Sequence, residues 1–118
     1  MANQKSYLEF LEEQLAPLGE ITSRAMFGGH VLYCDGTVFA LVASNALYLK
    51  VDDQNRVEFE GRGLNAFKPF DGPGVMQYYE APPEIFEDPA ALQHWGAGSV
   101  AAGRRAKAKK KPARRKRA

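Results

Sequence analysis

HVLYC-DG-TVFALVA-SN-ALYLKV, residues 30–51, decides the fold of this chain. Each of the three apolar runs is rich in β-branched and aromatic residues and too short for a typical helix, so each reads as a strand. Asp35-Gly36 suits a tight type I′ turn, because both positions favour positive φ. Ser44-Asn45 supplies a second turn of similar length. Two such turns between three such runs give an antiparallel meander, His30–Cys34, Thr37–Ala43 and Ala46–Val51.

The rest of the chain extends this nucleus outward. Upstream, Ile21–Phe27 is a further strand, and Gly28-Gly29 allows a bend or bulge before His30. Before it, Tyr7, Leu8, Leu11, Leu15 and Leu18 recur at three- and four-residue spacing with Glu9, Glu12 and Glu13 opposite. That pattern predicts an amphipathic helix over Gln4–Ala16, ended by Pro17 and Gly19. Downstream, Asp52 or Asp53 can cap a short helix to Glu60, with Val57 packing inward and Gly61 or Gly63 closing it. Two more strands are expected at Ala66–Phe70 and Val75–Ala81, around an Asp-Gly-Pro-Gly turn at 71–74. Pro82-Pro83 breaks the chain. Asp88 then caps a last helix with Pro89 in its first turn. Leu92, Trp95 and Val100 form its buried stripe, weakened by Gly96, Gly98 and Gly103. The sum is an α+β fold: a two-layer domain with an antiparallel five- to six-stranded sheet and flanking N- and C-terminal helices.

Charge divides the chain in two. Ten of its sixteen basic residues are Arg104, Arg105, Lys107, Lys109, Lys110, Lys111, Arg114, Arg115, Lys116 and Arg117. All fourteen acids precede them with only six basic residues for company, so residues 1–103 carry −8 and the end carries +10. Residues 1–103 are therefore read as the domain and 104–118 as a disordered Lys/Arg/Ala-rich tail, since that segment has no apolar periodicity. A block of solvated cations seeks polyanions. Nucleic-acid phosphates, bound without sequence preference, are the favoured partner of the tail. An acidic protein surface, or the acidic body itself, is the alternative, and a solubilising tail is the plain reading.

Composition excludes several classes. One cysteine, Cys34, rules out an internal disulfide and suits a reducing compartment. The N-terminus has no apolar core of a signal peptide, and no run approaches a membrane span. The expectation is a cytoplasmic protein, with a nucleoid association through the tail and no membrane contact. His30 and His94 have no ligand spacing, so no metal or other cofactor is expected. No serine or cysteine has an identifiable base, so the chain is read as a non-enzyme.

Within the body, Arg24 beside Gly28 and Gly29 is a candidate contact for an anion or a partner carboxylate, against the plainer reading of a salt bridge to a surplus acid. Gly28 and Gly29 are more simply a bend, because a phosphate-binding loop needs a Gly-Lys-Ser/Thr ending that is absent. Tyr78 and Tyr79 must face opposite sides of their strand. An aromatic sheet face can stack bases, but ordinary cross-strand packing is favoured in so acidic a body.

Arg24-Ala-Met-Phe-Gly-Gly29, Tyr33, Asp35-Gly36, Phe39-Ala40, Leu47-Tyr-Leu-Lys50, Phe67-Lys-Pro-Phe70, Met76-Gln-Tyr-Tyr79 and Leu92-Gln-His-Trp95 form an ordered series. As a set spanning roughly residues 5–103, it resembles the N-terminal domain of the TfoX/Sxy family, bacterial regulators associated with natural competence. The resemblance implies an antiparallel sheet with flanking helices and no catalytic residues. Full-length members continue into a second, helical domain, so a stand-alone member ending in a basic tail is expected. The resulting function is a non-enzymatic regulator associated with nucleic acid through its tail. The alternatives are a protein–protein interaction module or a small-ligand-binding domain using Arg24 and a strand tyrosine. The sequence leaves the oligomeric state open.

Overall fold

The computed structural model describes residues 5–26, 29–67 and 77–115, with side chains to residue 108. Helix α1 (Lys5–Leu15) runs into a 3-10 turn at Ala16–Leu18 that Pro17 helps to start. Strands β1 (Ile21–Met26), β2 (Gly29–Cys34), β3 (Thr37–Ala43) and β4 (Ala46–Lys50) follow, then α2 (Arg56–Gly61) and β5 (Tyr78–Glu80). A 3-10 turn at Pro83–Phe86 leads to α3 (Pro89–Ala91), a π-helical turn at Leu92–Gly96, and α4 (Ala97–Arg115). The five strands form one antiparallel sheet in chain order, β1-β2-β3-β4-β5.

The meander reads as the sequence dictates. Asp35 and Gly36 have φ of 51° and 82°, the double positive φ of a type I′ turn. Ser44 and Asn45 adopt the same arrangement at 51° and 58°, without a glycine. Between Leu32 opposite Ala40 and Tyr33 opposite Val38, β3 holds one extra residue, Phe39. This bulge breaks the two-residue alternation, and Phe39 and Ala40 are both fully buried. Helices cover one face of the sheet. α4 crosses β3 and β4, and α1 lies near β1. Leu11 and Leu15 of α1 meet Leu32, Val42, Leu47, Leu49, Phe59 and Ile85 in a single core. Each fully buried leucine stabilises the fold by about 1.5–3 kcal/mol.

Several expectations are corrected. Val57 does not pack inward: it is 70% exposed, and Phe59 is the α2 residue that enters the core at 1%. Neither Asp52 nor Asp53 caps α2, which begins after Asn55 with no side-chain cap. Ala66 makes an isolated bridge to Tyr79, and the last strand among the described residues is Tyr78–Glu80, within the expected Val75–Ala81. Residues 68–76, with the turn expected at 71–74, lie outside the described residues. The cap at Asp88 is as expected, its carboxylate accepting the Ala90 N–H at 3.0 Å, with Pro89 in the first turn.

The glycines of the last helix are read differently by the structure. A Cβ on Gly103 would stand 2.1 Å from the Val38 carbonyl oxygen, and one on Gly96 would stand 2.7 Å from Leu18 Cδ1. These two positions allow the helix to lie directly on β3 and on the 3-10 turn. Only Gly98 meets nothing within 4 Å.

Candidate nucleic-acid interface

The charge run begins at Arg104, but α4 extends from Ala97 to Arg115. The position where composition changes is therefore inside a helix. Three physical terms favour continuation. Alanine, lysine and arginine are good helix formers. The nucleus is supplied by the packed residues Val100, Ala102 and Gly103, so each added residue costs little. Cations near a helix C-terminus also complement its dipole. Like charges three or four residues apart act against it, by about 0.2–0.5 kcal/mol a pair.

Arg105 roots this helix in the body. Its Nε and one terminal nitrogen donate to the two Asp52 oxygens at 2.6 and 2.8 Å, a bidentate pair between partly exposed side chains. Asp52 is presented by a tight local network just after β4. The Asp52 N–H donates to Asn55 Oδ1 at 2.7 Å, and Asn55 Nδ2 donates to the Lys50 carbonyl at 3.1 Å. The Gln54 N–H adds a 3.0 Å bond to Asp52 Oδ1. The Arg105 guanidinium is the main cause that holds the Asp52 carboxyl down at about 2.

The ten terminal cations thus separate. Arg105 belongs to the body contact, while Arg104 and Lys107 are exposed beside it. Lys109, Lys110, Lys111, Arg114 and Arg115 continue along the helix backbone, which rises about 15 Å from Arg105 to Arg115. Lys116 and Arg117 lie outside the described residues. A helix with so many cations in its sequence carries the charge density that phosphate contact needs.

The second candidate cluster is not assembled around an anion. Arg24 is exposed in β1 opposite Val31, and its side chain makes no ion pair or hydrogen bond with another described residue. The salt bridge favoured from sequence is thus not observed among them. Gly29 pairs with Met26, and its added Cβ would stand 2.6 Å from the Val42 carbonyl oxygen, so it serves close strand packing. Gly28 lies outside the described residues. β1 is also the far edge of the sheet from β4, where Asp52 follows, so Arg24 and the cationic helix are separate features.

The tyrosines divide as alternation requires. Tyr79 faces the core and donates from its hydroxyl to Glu60 Oε2 at 2.8 Å, the leading cause that pushes its pKa up. Tyr78 faces the other side, with Lys50 Nζ 5.0 Å from its ring centre. Tyr48 packs on Phe67 with ring centres 4.7 Å apart. Cys34 is fully buried, its thiol donating to the Leu18 carbonyl at 3.4 Å, and burial pushes the thiol pKa up. This is the opposite of an activated nucleophile.

Sequence reading missed the Asp52–Arg105 pair and a second cluster, in which His94 Nε2 lies 2.8 Å from Glu58 Oε2 and Arg62 pairs with Glu84 at 3.0 Å. All three link residues far apart in the chain, and no local pattern announces them. Among the described residues no group of three His, Cys, Asp or Glu could hold a metal, and no helix is long and apolar enough to cross a membrane.

A family model described as the TfoX N-terminal domain matches residues 13–103, which covers α1 from its second half to the Gly103 contact. The chain belongs to the TfoX N-terminal domain family. This is a competence-regulator-like family. Protein Sxy of Escherichia coli (strain K12) is 46% identical over 44 residues, a match covering 37% of this chain and 21% of Sxy. In this TfoX N-terminal domain the matched residues stop just before Arg105, so the root of the cationic helix lies beyond them.

Proposed function

We propose that this TfoX N-terminal domain is a non-enzymatic, cytoplasmic regulatory module that associates with nucleic acid through phosphates along the cationic stretch of α4. The observation that carries the reading is a run of cations on a helix clamped by Arg105 to an otherwise acidic body. The clamp keeps the cations from wandering back as a loose chain, and the acids of the body repel a polyanion from the rest of the surface. Phosphate binding would also relieve the repulsion between like charges along the helix. With Arg105 committed to Asp52, nine cations remain, and engagement of about half gives log affinity falling with log salt at a slope of about −4.

The test compares the full chain with one ending at Ala106, which keeps the Asp52–Arg105 pair, by fluorescence anisotropy on duplex DNA and single-stranded RNA at two salt concentrations. The full chain should bind with that slope and little sequence preference, and the shortened chain should lose most affinity. Equal affinity in the two would refute the proposal.

A second reading, a protein interaction module, is favoured by a separate observation. A shallow groove of about 390 Å³ is lined by Tyr7, Leu47, Leu64, Pro82, Ile85 and Phe86. Phe10, 39% exposed, stands at Phe86 with ring centres 5.2 Å apart. A protein recovered equally by the full and shortened chains, without nucleic acid, would support that reading.

A further inference from the structure

The two edges of the sheet are treated differently by the fold. β5 is only three residues long, and its outer side is occupied by the Ala66 bridge, by the Phe67 N–H on the Tyr78 carbonyl at 2.8 Å, and by the Glu80 N–H on the Asn65 carbonyl at 2.9 Å. β1 is six residues long, pairs with β2 over its whole length, and has no partner on its other side among the described residues. It contains no proline, lysine or bulge, the usual devices that protect an edge.

The backbone direction at this edge follows from one bond. The Asp35 N–H donates to the Glu20 carbonyl at 2.9 Å, so Glu20 turns its backbone groups toward β2. Alternation then turns Thr22 and Arg24 the same way, and leaves the N–H and C=O groups of Ile21, Ser23 and Ala25 facing outward. The side chains of Glu20, Thr22 and Arg24 share one face of the strand. Glu20 and Arg24 are both exposed, and neither has an ion-pair partner among the described residues.

We infer that β1 pairs with β1 of a second copy, antiparallel about a two-fold axis at Thr22, joining two sheets into one. In this register Ile21 stands opposite Ser23 of the other copy, and both residues have outward backbone groups ready to exchange hydrogen bonds. Glu20 stands opposite Arg24 of the other copy, twice by symmetry. These are the close, non-hydrogen-bonded pairs, in which side chains approach best. Sliding by two residues, to an axis at Ser23, keeps the backbone bonds possible but places Arg24 opposite Thr22 and Glu20 opposite Met26, with no ion pair. The charges therefore select the partner and the register together: a strand with acid and base four residues apart on one face is complementary to itself when reversed. Moderate salt favours the pairing, since it screens repulsion between the acidic bodies more than contact pairs.

The test is sedimentation equilibrium of the nuclease-treated full chain at about 0.15 M salt, with Arg24→Glu and Glu20→Arg alone and mixed. Wild type should dimerise with concentration. Each reversal should weaken self-association at least about tenfold, by turning two attractions into two repulsions. An equimolar mixture of the two variants should dimerise again, because one strand then carries two acids and the other two bases. Ser23→Pro removes an outward N–H without touching the β2 ladder, and it should yield a folded monomer. Three results would each overturn the inference: a wild type monomeric to about 1 mM, dimers indifferent to charge reversal, or a mixture that stays monomeric.

Discussion

Asp52 and Arg105 are 53 residues apart and meet in the shortest ion pair that joins the last helix to the body. Because the Asp52 pKa falls from 3.8 to about 2 on folding, the pair contributes stability that is fully present above pH 4 and is lost as pH falls through about 2. Solvent screening at this partly exposed site limits the contribution to about 1 kcal/mol. Asp52→Asn should therefore lower stability by about that amount at pH 7, and the gap from wild type should close between pH 4 and pH 2 in thermal melts. A gap that persists unchanged at pH 2 would mean that packing, not charge, is lost. Cys34 offers a second check at this scale. Its buried thiol, held against the Leu18 carbonyl, should react with iodoacetamide only as fast as the fold opens, and labelling should accelerate sharply in denaturant.

Within the last helix, glycines that look alike in sequence have opposite roles. Gly98→Ala meets open space and should stabilise by up to about 1 kcal/mol through helix propensity. Gly103→Ala drives a methyl into the Val38 carbonyl and should destabilise by about 1–3 kcal/mol despite the same propensity gain. Chemical denaturation of the two variants decides it, and equal effects would contradict the close helix–strand contact. Ser99 lies between them, fully buried, with a hydroxyl that finds no hydrogen-bond partner among the described residues, so Ser99→Ala should be neutral or stabilising. The contrast marks how far sequence reads. The meander, its Asp35-Gly36 turn and the Asp88 cap were legible because each depends on residues within a few positions of one another. The bulge at Phe39, the inward turn of Phe59 instead of Val57, and the value of Gly103 were not, because each is decided by a neighbour from another element. The candidate site divides in the same way. The cations were visible as composition, whereas the clamp that aims them was not.

Across the whole molecule, most acids and most bases are separated along the chain, and the Asp52–Arg105 pair joins the cationic end to the acidic body. The net +2 of the full chain conceals a −8 body and a +10 end. The helix that carries the end is stabilised by propensity and its root, and opposed by its own charge. Its helicity should therefore depend on what surrounds it. Circular dichroism at 222 nm should show added helix when a short duplex DNA is titrated in at low salt, and none for the chain ending at Ala106. An unchanged signal in the full chain would remove the coupling between binding and helix formation.

The π-helical turn at Leu92–Gly96 has a consequence for this end of the chain. A π turn holds one residue more than an α turn, so everything after it lags by about 100° behind the phase that an unbroken α-helix would give. With that lag Leu92 and Val100 fall on one face and both enter the core, and Gly103 lies against Val38 of β3. Deleting a single residue from 92–96 would restore a regular helix and keep every cation in the sequence. The two changes cancel, so Arg105 would still meet Asp52; a turn wound as α with all its residues kept would instead swing the charged stretch by about 100°. The compass bearing of the charge is thus set in a turn that ends eight residues before the first cation of the run, Arg104.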